Sequence, residues 1–125
     1  MDYQPNFAEE EERGLVRLSR VTYELAEGQP DAMGWRAADA EGVQFGSVSD
    51  MLADSMTGQI VFVAVAFDSL ERTALVPVEG LYLDLTQKTL IIPCRRSEIQ
   101  GSPDFTDEVV DLMPFVDYWT RVTAA

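Results

Sequence analysis

The sequence predicts an all-β protein: a small β-barrel with an N-terminal arm and a short C-terminal helix. Two observations carry this reading. Between Gly34 and Ile92 apolar runs of strand length alternate with turn residues, Asp39-Ala40-Glu41-Gly42 and Ser55-Met56-Thr57-Gly58 among them. Short strands at regular spacing with turn signals mark small barrels or sandwiches. The second observation is size: 125 residues, 46% hydrophobic, make one domain with its own core and not a disordered chain.

The elements follow in order. Residues 1–14 read as a flexible acidic arm, because Glu9-Glu10-Glu11-Glu12 is a like-charge block that repels itself. Leu15, Leu18, Val21 and Leu25 fit a helical face, while Val21-Thr22-Tyr23 fits a strand equally well. The reading adopted is a helical turn over Leu15 to Ser19 followed by an extended segment. Gly28-Gln29-Pro30-Asp31 then breaks the chain. Strands are expected at Gly34 to Ala38, Val43 to Asp54, Gln59 to Phe67 and Arg72 to Val76, the last ended by Pro77. Leu81 to Leu85 and Thr89 to Ile92 read as a hairpin linked through Thr86-Gln87-Lys88.

Strict alternation puts Val48, Asp50, Leu52 and Asp54 on one side of their strand. It also puts Val61, Val63, Val65 and Phe67 on one side of the next, opposite Ile60, Phe62, Ala64 and Ala66. Both faces of that strand are apolar, so something besides a barrel interior must cover the outer one. The tail from Asp107 supplies a candidate. Phe115, Tyr118, Trp119 and Val122 recur at helical spacing, and Pro114 fits the first helical turn. The stripe either packs back on its own barrel or binds a partner. With Val61, Val63 and Val65 it is the candidate interface, a dimer being the commonest way to bury such a surplus.

These residues resemble the PRC-barrel family. The resemblance rests on Gly34-Trp35, Asp39 to Gly42, Gly46-x-Val48-x-Asp50-x-Leu52-x-x-Asp54, Gly58-x-Ile60-x-Phe62 with Val65, Ala74-Leu75-Val76-Pro77, and Leu83-Asp84 before Leu90-Ile91-Ile92. Gly28 to Asp31 and Pro103-Asp104-Phe105 resemble the entry and exit of its reaction-centre-like branch. It covers residues 15–106, leaving 107–125 as the tail. The resemblance implies a barrel used as an adaptor, on a membrane complex or on a ribosomal protein.

Composition excludes more than it names. The net charge of −13 repels phosphate backbones, which argues against nucleic-acid binding. It serves either solubility or an acidic docking surface. Without histidine there are no Ser–His–Asp triads, Cys–His pairs or histidine-bearing metal sites. One cysteine, Cys94, permits no internal disulfide. The start carries no basic-then-apolar leader, and Ile60 to Phe67 is too short to span a bilayer, so a cytoplasmic protein without membrane insertion is expected.

Candidate chemistry is thin. Asp50 and Asp54, about 13–14 Å apart along a strand, are too distant for a glycosidase pair and read as solvated or turn-capping. Asp39 to Gly42 lacks the ligand series of a calcium loop and reads as a turn, and Gly42 and Gly46 are assigned turn roles. In Cys94-Arg95-Arg96 two guanidiniums can lower a thiol pKa, or can pair with carboxylates as the chain leaves its last strand. The expectation is therefore no catalytic residue, no cofactor and no metal. A non-enzymatic, self-associating protein-interaction module leads. The alternative is a small-ligand-binding protein or enzyme with its site in a barrel mouth lined by Trp35, Tyr82 and carboxylates. An RNA-processing factor rests on fold analogy alone.

Overall fold

The runs of β-branched and aromatic residues do become strands. The computed structural model describes residues 15–20, 31–109 and 111–123, so the arm and the Val21 to Pro30 segment lie outside the described residues. Seven strands form one open, mixed sheet: β1 Leu15–Arg17, β2 Arg36–Ala38, β3 Gln44–Asp54, β4 Ile60–Phe67, β5 Thr73–Pro77, β6 Tyr82–Asp84 and β7 Thr89–Ile91. Their order is β5-β4-β3-β2-β7-β6, with β1 also on β3. All pairs are antiparallel except β2 with β7. Two helices follow, α1 Arg96–Gln100 and α2 Met113–Thr123.

Turn chemistry fixes the hairpins. Asp54 Oδ1 accepts the N–H groups of Met56 (2.7 Å) and Thr57 (3.1 Å), and Gly58 at φ +75° returns the chain into β4. Asp84 Oδ1 does the same for Thr86 and Gln87 before β7. The opening segment departs from expectation. Leu15 pairs with Asp54 as a strand, and the helical turn, a 3-10 turn, comes after it at Leu18–Arg20. The reason is that β3 runs for 11 residues while β2 pairs only near its start, leaving a free ladder at its end.

Alternation fails at two bulges. In the β3–β4 register Val48 opposes Val65 but Asp50 opposes Ala64, and Leu52 opposes Phe62 but Ala53 opposes Ile60. Ser49 and Val61 are the extra residues, and each re-aims the strand beyond it. The inner core therefore takes Val48, Met51 and Ala53 from β3, and Ile60, Val63, Val65 and Phe67 from β4. The outer face takes Leu52, Phe62 and Ala64, covered by Phe105 and Phe115. Trp35 packs half-buried at the margin of the inner core, less enclosed than its place at the start of a strand suggests.

Gly46 sits inside β3, opposite Phe67 and Ala37, and not in a turn. A β-carbon there meets the backbone carbonyl of Ala66, which has no soft side chain to yield. Gly46→Ala is expected to destabilise the fold by roughly 1–3 kcal/mol, the usual cost of overpacking, read as a lower urea midpoint at unchanged slope.

Asp104 and Phe105, together with the tail that follows them, close one end of the sheet. On the outer edge of β5, the Phe105 N–H donates to Thr73 O (2.9 Å), Asp104 Oδ1 accepts the Thr73 N–H (2.8 Å), and Trp119 Nε1 donates to Leu75 O (2.8 Å). Covering an edge is one way a sheet avoids unwanted pairing. The helix itself starts where Asp111 Oδ1 accepts the Met113 N–H, with Pro114 in its first turn as expected. None of the described helices is long and apolar enough to cross a membrane.

Candidate functional site

Three features bear on function: a polar cleft after β2, a small apolar cavity inside the sheet, and the exposed strand β6.

The cleft is built by a turn. Asp39 follows β2, and its Oδ1 accepts the N–H groups of Glu41 (2.9 Å) and Val43 (3.0 Å) while Gly42 adopts φ +81°. Its Oδ2 receives the Arg96 Nε–H at 3.3 Å. Arg95, Arg96 and Ser97 face Asp39, Glu41 and Val43 across about 330 Å³. Burial opposes the charge on Asp39. The N–H groups of Val43 and Glu41 and the Arg96 guanidinium outweigh it and hold the carboxyl below its ordinary range.

The sign of that shift predicts a pH dependence. A depressed folded-state pKa contributes stability that is full above the unfolded value, about 3.9, and lost as pH falls through the folded one. Asp39→Asn should thus lower stability at neutral pH, and its difference from wild type should shrink as pH falls through the folded-state pKa. Urea midpoints measured at neutral pH and on stepwise acidification check it.

The neighbouring thiol is not a nucleophile in waiting. Cys94 is half-buried, and burial followed by the charge of Glu98 pushes its pKa up. The activating reading of Cys94-Arg95-Arg96 therefore gives way to the ion-pairing one: Arg96 binds Asp39, and Arg95 lies 3.9 Å from Glu98. A protonated thiol and guanidiniums matched to carboxylates provide no general base and no activated attacking group.

The other sequence candidates scatter. Asp54 is the turn cap described above, but Asp50 is not solvated: it is 2% exposed and ion-paired with Arg17 at 2.9 Å. Trp35 and Tyr82 line neither cavity, and Tyr82 is 62% exposed. Among the described residues no three or more carboxylates and thiols gather as a metal-binding group.

The seven candidate interface residues all pack within their own chain, divided between the inner core, with Val63, Val65, Tyr118, Trp119 and Val122, and the outer face, with Val61 and Phe115. Val63 and Val65 lie in the inner core and not on an outward face as the candidate interface has them, and Val61 is the half-buried bulge residue. Phe115 lies on the outer face, edge-on to Phe105 at 5.8 Å. Trp119 is buried on β5, Tyr118 donates its hydroxyl to Glu98 O at 2.6 Å, and Val122 packs half-buried on the core. Of the two readings of the tail, the structure shows the one in which it packs on its own chain.

Sequence reasoning read the β6 hairpin but missed its exposed surface. Tyr82 on β6 and Leu85 in the turn after it, the second 69% exposed, face solvent, while Leu81 just before β6 and Leu83 within it line the apolar cavity. That cavity, about 90 Å³, is walled further by Met51, Ile60, Val63 and Val78. The signal was present as Leu81-Tyr82-Leu83, apolar at three successive positions in a short strand. Neither a protein-family model nor a curated protein matches this chain.

Proposed function

We propose that the chain is a non-enzymatic protein-interaction module of the PRC-barrel type, working as an adaptor in the cytoplasm. The observation that carries this reading is the asymmetry of the sheet. One end, β5, is hydrogen-bonded by the chain's own Asp104 and Trp119, whereas at the other β6 and the turn after it offer Tyr82 and Leu85 to solvent, and β6 pairs only with β7 among the described residues. An uncovered edge bearing an aromatic residue has the character of a contact surface. The interior supports the same reading. At about 90 Å³ it falls short of the roughly 300 Å³ at which small-molecule sites begin. The polar cleft is large enough, but both of its guanidiniums are paired with carboxylates.

Self-association, expected from the aromatic stripe, loses its basis because that stripe is spent on the chain's own sheet. A second copy also brings a second charge of −13 to the contact. Sedimentation at micromolar concentration should therefore report a monomer, and a dimer would restore the self-associating reading. The adaptor reading is tested by affinity capture from the native host with wild type and with the Tyr82→Lys/Leu85→Lys double variant. A partner retained by wild type and lost by the variant is expected; equal capture by both overturns the placement at β6.

A further inference from the structure

Resting on the interaction-module reading, we infer that β6 receives a basic, extended segment of a partner protein as an added strand, with one aliphatic side chain of that segment seated in the cavity beside Leu81 and Leu83. The inference joins three independent observations.

The first is the edge itself. β6 carries neither lysine nor proline, and no strand lies beyond it among the described residues. The opposite edge is blocked by three hydrogen bonds to the chain's own Asp104, Phe105 and Trp119. Native sheets that leave an edge bare leave a template for strand addition, in which backbone hydrogen bonds supply affinity and pockets for alternate side chains supply specificity.

The second is the cavity. Val78, Leu81 and Leu83 at its rim are only half-buried, so it opens beside β6. A dry apolar void leaves its walls without contact partners, and filling it recovers those contacts. At about 90 Å³ it is smaller than the ~150 Å³ void that accepts benzene, which selects an aliphatic side chain over an aromatic one. Residues alternate along a strand, so an added segment that points one residue inward past Leu83 points its neighbours outward, beside Tyr82 and Asp84.

The third is charge. Arg17, Arg36 and Arg96 are already paired with Asp50, Asp68 and Asp39, so the remaining surface is dominated by carboxylates. Glu79 and Asp84 bracket Tyr82 in sequence, with Lys88 the nearest cation along the hairpin. Outward lysines or arginines of the segment meet Asp84 and the Tyr82 ring, contacts that a second copy of this acidic chain supplies poorly.

The test uses the full chain, labelled for NMR, and an alternating lysine–valine hexapeptide. Saturable shifts confined to residues 81–85 and the cavity walls are expected, weakening as salt is raised. Three control peptides accompany it: glutamate replacing lysine, alanine replacing valine, and a block sequence of the same composition. Each is expected to bind about tenfold more weakly or worse, as is the parent peptide to Tyr82→Lys/Leu85→Lys, the loss typical of an interface anchor. Equal binding of the acidic or block peptide, shifts centred on the Asp39–Arg96 cleft, or no binding by any peptide overturns the inference. If the peptides fail while captured partner is still lost by the double variant, the basic-segment inference falls and the adaptor reading stands. If capture is also unchanged, both fall.

Discussion

Trp119→Ala is expected to lower stability by about 3–5 kcal/mol, the range for truncating a buried tryptophan. The indole is 3% exposed, and its N–H reaches Leu75 O at 2.8 Å. Truncation removes the ring from the core and leaves a buried carbonyl on β5 unpartnered, adding a desolvation cost to the cavity cost. Trp119→Phe separates the two: it keeps most of the ring and loses only the donor, so a smaller loss, about 1–3 kcal/mol, is expected. There is also a consequence beyond stability. With α2 loosened, the β5 edge is uncovered, and the alanine variant should aggregate more readily than wild type at equal fraction folded. Urea midpoints and light scattering read the two effects. A loss of only a few tenths of a kcal/mol would mean that the tail does not cover this edge.

The same helix shows how far the sequence could be read. The spacing of Phe115, Tyr118, Trp119 and Val122 marked both the helix and its buried face, because periodicity is a local property of the chain. The strands from β2 to β7 were legible for the same reason, each within one or two residues of its ends. What failed was register. A bulge leaves no reliable trace in composition, so nothing near Ser49 or Val61 announced that Met51 and Ala53 would share the inner face with Val48, or that Ile60 would share it with Val63, Val65 and Phe67. β1 was equally hidden, since it depends on a ladder position offered by a strand more than thirty residues away, and the helical turn read at Leu15 to Ser19 is displaced to Leu18–Arg20 by it. Five-residue α1 is too short to show a period. For the candidate site, the residue types around Asp39 were plain, but their mutual neutralisation depends on Arg96 folding back across 57 positions.

Asp50 is the clearest case of a long-range contact overruling a local reading, and it gives the second large effect. Its carboxylate accepts Arg17 Nε (2.9 Å), the Ser19 N–H (3.0 Å), the Ser19 hydroxyl (2.7 Å) and the Met51 N–H (2.9 Å). Arg17 in turn reaches Asp107 at 2.9 Å and lies 4.5 Å over the Phe105 ring. One buried side chain thus ties the 3-10 turn, β1 and the segment leading to α2 to the middle of β3. Asp50→Ala strands the Ser19 donors and removes a charge from Arg17, and breaking a buried pair costs about 3–5 kcal/mol. Arg17 is 20% exposed and keeps Asp107, so the lower part of that range is expected. Arg17→Met should cost at least as much, because it leaves the nearly inaccessible Asp50 charge without its counter-ion. The double variant Asp50→Ala/Arg17→Met should lose less than the sum of the singles, with a coupling of about 1–3 kcal/mol, since removing both charges leaves neither of them buried without its counter-ion. Strict additivity in the cycle would show that Asp50 acts through Ser19 alone, as a turn cap, and that the ion pair contributes nothing to holding β1 on the sheet.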